Sequence, residues 1–165
     1  MKKYVIALLL LMTTPLYAAV VVTLYSTQAD HQKIGQITFK NKNNGLLILT
    51  DLKNLSPGKH GFHLHQHPSC KKQGMAAGDH YDPHDTKRHL GPYHSGHKGD
   101  LPVLTANKQG ESKQTLFAPH LHEKELLGHA IMIHAGGDNY ADHPKPLGGG
   151  GKRIACGVVG NQFGS

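Results

Sequence analysis

Short runs of alternating or β-branched residues recur along the chain: VVVTLYS (20–26), KIGQITFK (33–40), LLILTDL (46–52), HGFHLHQ (60–66), SKQTLFA (112–118), HAIMIH (129–134) and IACGVVG (154–160). Runs this short and this regular in period bury one face of a strand and wet the other. Turn residues separate them at Asn44-Gly45, at Ser56-Pro57-Gly58 and in NKQG at 107–110. With LPVLTA (101–106) as a weaker member, eight strands are expected in an all-β antiparallel sandwich or barrel. Helix is limited to a single turn near EKELLG.

Two stretches break this rhythm. Residues 68–100 and 135–153 are rich in Gly, Pro, Asp and His. Connections of that length in a small domain are functional or disordered. The histidines of the first favour function, because a bound metal supplies order where secondary structure does not.

At 165 residues the chain suits one domain with a substantial core. It opens MKKYVIALLLLMTTPLYAA, with Lys2 and Lys3 ahead of an apolar run from Tyr4 to Met12 and small residues at Ala18 and Ala19. That is the layout of a secretory leader. The run is shorter than the roughly 20 residues a bilayer span requires, so no membrane anchor is expected. Residues 1–18 read as a cleaved signal peptide and 19–165 as an exported, soluble domain.

Export sets the redox environment. Cys70 and Cys156 are the only cysteines, and an even count in an oxidising compartment favours a disulfide over two separate buried thiols. Eighteen Lys and Arg against eleven Asp and Glu give a formal charge of +7, or +5 once Lys2 and Lys3 leave with the leader. There is no arginine-rich segment, and aromatics are sparse, so nucleic acid is not the expected partner. A positive balance does suit a small anionic substrate.

The histidines carry the chemistry. On a strand, residues i and i+2 face one way, so His63 and His65 converge. His80, His89, His97 and Asp100 share one loop, and three imidazoles with one carboxylate close a four-coordinate zinc shell. His134 ends an apolar strand and can reach back to the first pair. Imidazole also suits copper, so an all-nitrogen site of one strand pair, a third histidine from another strand and a fourth from the loop fits copper redox chemistry.

In this arrangement the chain resembles the copper/zinc superoxide dismutases, most closely their bacterial exported branch. The resemblance rests on HGFHLH, GDHYDP, RHLGPYHSGHKGDLP and MIHAGGDNYADHPKPLGGGGKRIACGV, in that order, across essentially the whole mature chain. It implies an eight-stranded Greek-key barrel or immunoglobulin-like sandwich with two long functional loops, an architecture already known for that family. It further implies copper on His63, His65, His80 and His134, and zinc on His80, His89, His97 and Asp100, one ion of each per chain. His80 would bridge the two, Asp138 would orient a ring on each side, Arg153 would guide the superoxide anion, and Cys70 would pair with Cys156. The expected reaction is dismutation of superoxide to dioxygen and hydrogen peroxide in the periplasm, by a monomer or homodimer. An exported protein that only buffers copper and zinc explains the histidines as well, but requires neither Arg153 nor a histidine serving two metals.

Several further residues have no ligand role in the resemblance. His60 reads as backing structure, while His67, His84, His94 and His143 read as exposed. His120 and His122 leave an additional metal site open. Lys145 and Lys152 are candidates for steering only by their nearness to Arg153 in sequence.

Overall fold

A computed structural model describes residues 19–160. The leader expected over residues 1–18 lies outside the described residues. Nine strands follow in order: β1 Val20–Ser26, β2 Lys33–Lys42, β3 Gly45–Leu52, β4 Gly58–His60, β5 Phe62–His65, β6 Leu104–Ala106, β7 Thr115–Ala118, β8 Ala130–His134 and β9 Arg153–Val158. Seven form one sheet in the order β5-β8-β9-β1-β2-β3-β7, and β4 pairs with β6. Every pairing is antiparallel, and the large sheet curls into a half-barrel. The all-β expectation holds. Its single run over 60–66 divides at Gly61, which accounts for the ninth strand. The turn expected near EKELLG is a 3-10 turn over Glu123–Glu125.

Alternation does what the sequence asks. Val20, Val22 and Leu24 of β1 point inward to meet Ile37, Phe39, Leu46 and Ile48, all essentially inaccessible to solvent. In β5 all four residues are buried. Phe62 and Leu64 join the main core, whereas His63 and His65 take the opposite face beneath the long loops. Across from them on β8, Met132 pairs with His63 and Ala130 with His65. Met132 and Ala130 belong to a second small cluster with Ala77 and Cys156. One face of β5 and β8 is therefore core, and the other is the floor of a site.

The loop 66–103 is stitched to the outer edge of β5 by main-chain hydrogen bonds. Tyr81 N donates to the Leu64 carbonyl, Leu64 N to Gly99, and Gln66 N to Asp79. Isolated bridges consequently set His80 beside His65 and Asp100 beside His63. Gly99 makes this approach possible, since a Cβ there would lie 2.3 Å from the Leu64 carbonyl oxygen. On the other side, the register slips between Ile133 and His134, so Ala155 faces Ile133 but Arg153 faces His134. A bulge of this kind re-aims a side chain. Here it sets Arg153 where regular alternation would have set Ile154. The Cys70–Cys156 disulfide, Cα atoms 5.7 Å apart, ties the start of the loop to β9.

Candidate metal centre

Two groups of ligand-type atoms, each gathered within 4.8 Å, occupy this floor: His63, His65, His80 and His134, and next to them His63, His80, His89 and Asp100. All are buried. The first contains the four residues that the resemblance assigns to copper. The second contains three of the four assigned to zinc. The fourth, His97, stands slightly apart, its Nδ1 3.6 Å from Asp100 Oδ1. His63 and His80 stand in both groups, with ring centroids 3.8 Å apart.

Hydrogen bonding decides which nitrogen of each ring is free. His65 Nδ1 faces the Gly78 carbonyl at 2.9 Å, and His134 Nδ1 faces the Gly151 carbonyl at 3.1 Å. A carbonyl only accepts, so each Nδ1 carries hydrogen and a neutral ring keeps its lone pair on Nε2. His63 is held the other way round, Nε2 donating to Asp138 Oδ2 at 2.8 Å. The atoms left without a partner are His65 Nε2, His134 Nε2 and His63 Nδ1, whereas Nδ1 of His89 and of His97 face only Asp100, at 3.0 Å and 3.6 Å. Buried polar atoms without partners are uncommon. Three imidazole nitrogens in that condition, beside two more that face a single carboxylate, fit metal coordination.

Asp138 joins the two groups. Its Oδ2 takes the hydrogen bond of His63 and its Oδ1 that of His89 Nε2, at 2.7 Å. The carboxylate is packed against Gly148, where φ is +70° and a Cβ would fall 1.9 Å from Asp138 Oδ1. Asp100 gathers the other side, its oxygens 3.0 Å from Nδ1 of His80 and of His89.

Electrostatics follows this geometry. Burial, reinforced by the neighbouring histidines, lowers His63 well below its usual value, His65 to about 2 and His134 to about 4. Burial lowers His80 too, against the pull of Asp100. These rings are neutral at neutral pH. For His89, burial acts downward but hydrogen bonds to Asp100 and Asp138 outweigh it, raising it to about 9. Burial acts upward on Asp100, yet hydrogen bonds from His80, His89 and His97 hold it well below the ordinary carboxylate range.

Arg153 lies half-buried at the rim. Its Nη1 donates to the Gly74 carbonyl at 2.6 Å and its Nη2 to Gly78 at 2.7 Å. Burial lowers its pKa, and the nearby carboxylate of Asp79 opposes that shift. His60 is no ligand, because both its nitrogens face carbonyls at 2.7 Å, those of His134 and Ser56. His67, His84, His94, His120, His143, Lys145 and Lys152 are exposed, and His122 is half-buried. The carbonyls of Gly78 and Gly151, which fix two tautomers, went unread in the sequence because a main-chain acceptor leaves no mark in residue type.

Comparison with known proteins gives the same family. Residues 33–159 match the family model described as copper/zinc superoxide dismutase (SODC). "Superoxide dismutase [Cu-Zn]" of Francisella tularensis subsp. holarctica is 50% identical over 137 residues, covering 78% of this chain and 74% of that protein. The structure of "Cu/Zn superoxide dismutase from Brucella abortus" superimposes with a TM-score of 0.81 at 43% identity, over 86% of this chain and 99% of the other. A solution structure titled as the monomeric copper, zinc superoxide dismutase from Salmonella enterica gives 0.73 at 44% identity, with the same coverage. With the motifs in register, the fold matched and the two ligand groups side by side, this chain belongs to the copper/zinc superoxide dismutase family.

Proposed function

We propose that this chain dismutates superoxide anion, two superoxides and two protons giving dioxygen and hydrogen peroxide. The observation that carries the reading is the set of buried, partnerless imidazole nitrogens in two adjoining groups. His63 Nδ1, His65 Nε2 and His134 Nε2, with His80, would hold copper; His80, His89, His97 and Asp100 would hold zinc. When bound, copper supplies reversible one-electron chemistry and zinc supplies fixed positive charge. His80 stands in both groups, its Nδ1 3.0 Å from Asp100 Oδ1, and its other ring nitrogen can hold and release one of the two protons that peroxide formation consumes. Asp138 orients His63 and His89, and the carbonyls of Gly78 and Gly151 orient His65 and His134. Arg153 draws the anion to the rim and offers it hydrogen-bond donors.

All these residues come from one chain, which supports a competent monomer. Residues 19–165 make up the single domain, and the leader 1–18 directs it to the periplasm, a location the Cys70–Cys156 bond supports. Mature protein from the periplasmic fraction is expected to begin at Ala19.

Purified protein reconstituted with both metals is expected to consume superoxide, and His63→Ala to abolish this with loss of copper. Full activity in that variant would overturn the assignment.

A further inference from the structure

We propose that each chain binds a third ion, an exchangeable late-transition divalent cation, in the cavity between the 84–98 stretch and the segment following β7, on His94, His120 and His122. None of these belongs to the buried centre. The cavity has a volume of about 580 Å³, with His84 and His94 on one wall and His120 and His122 on the other. The dismutase reading assigns a role to none of them.

The facing of the second wall follows from one anchor. Leu121 is 1% exposed and fixed in the main core. Its neighbours on either side, His120 exposed and His122 half-buried, line the cavity with it. Glu125 then holds the walls together: one carboxylate oxygen pairs with Lys98 of the first, and the other accepts from His122 N at 3.1 Å. The ion pair also offsets the charge of Lys98, which lines the cavity and would otherwise repel a cation. Among the described residues, no hydrogen bond, ion pair or ring contact engages the imidazoles of His84, His94 or His120. They are free donors in a concave space.

Their nitrogens are not gathered within 4.8 Å as those of the buried groups are. Binding therefore requires rotation of exposed side chains, and the ion exchanges readily. Imidazoles alone, with no carboxylate among the three, select zinc, copper or nickel over calcium and magnesium.

The test begins with protein already loaded with copper and zinc, which occupies His97, the wall shared with the buried centre. Titration with Zn(II), followed by calorimetry, is expected to show one further ion per chain, and Mg(II) none. His94→Ala, and the double variant His120→Ala/His122→Ala, are each expected to weaken it by about tenfold or more, while His143→Ala leaves it unchanged. In NMR spectra, Ni(II) is expected to broaden the ring signals of His94, His120 and His122 before those of His31 and His143. Absence of a further ion, its survival in the double variant, or uniform broadening of all exposed histidines would overturn the proposal. Dismutase rate does not enter the readout, so failure here leaves the reading of the buried centre intact.

Discussion

Arg153 and His65 meet on one acceptor, the carbonyl oxygen of Gly78, at 2.7 Å and 2.9 Å. The group that would guide the anion and a ring of the copper-side set are thus positioned by the same loop, which the Cys70–Cys156 bond fastens to β9. Substrate guidance and ligand geometry share a support.

Arg153→Ala is expected to keep both metals but lose about tenfold or more in rate, with much of the salt sensitivity; superoxide dismutases are themselves a known case of such steering. Arg153→Lys retains the charge but not the fork that reaches Gly74 and Gly78 together, and should fall between. Stopped-flow decay of superoxide at several ionic strengths measures this. An unchanged rate in the alanine variant would point instead to a metal buffer.

Asp138→Asn removes the carboxylate that holds His63 and His89 at once. Supporting groups of this kind are worth roughly 10–100-fold in metal affinity. Competition with a chelator should show the loss mainly on the side of His89, and both metals retained at full affinity would argue that Asp138 is only a turn residue.

Replacing both Cys70 and Cys156 by serine opens a closure of 86 residues. The chain-entropy treatment of such a loop gives a stability loss of roughly 4–5 kcal/mol. Denaturant unfolding of the metal-loaded protein measures it, and a fall in dismutase rate is expected alongside, because the segment that holds Arg153 then loses its covalent tie to β9.

The metal-free protein should lose stability as pH falls below neutrality. In the unfolded chain each of these histidines titrates near 6.5, whereas in the folded chain His134 does so at about 4 and His65 at about 2. Between those values the unfolded chain binds more protons, so stability rises with pH, by up to roughly 1.4 kcal/mol per pH unit for each such histidine. The contribution is complete above 6.5. His89 has the opposite sign: raised to about 9, it stabilises fully below 6.5 and its contribution fades as pH climbs from there to about 9. Denaturant midpoints between about pH 4.5 and 6.5 should therefore rise steeply, and a flat profile would contradict burial of these rings as neutral groups.

Much of this site was legible before the fold. Period-two alternation put His63 and His65 on one face, and the structure has them there. The same parity would have added His67, but β5 ends at His65 and the chain turns into the loop, so His67 lies exposed. Asp138 and Arg153 came from family register alone; no spacing rule could have brought together residues on a loop and a bulged strand end. The break at Gly61 was invisible because alternation continues through it, and only the separate partners of β4 and β5 reveal two strands. The second wall of the histidine-lined cavity was half visible, as His120 and His122, but its opposite wall required the tertiary fold.

The loop stitched along β5 has one more consequence. β5 is the last strand of the large sheet, and a terminal strand with unpaired amides and carbonyls is a template for another chain. The segments bearing His80 and Asp100 occupy that template. The loop that would carry the metal ligands thus also caps the sheet: its main-chain bonds to β5 cover the edge along which a second chain would otherwise pair, on the strand that carries His63 and His65.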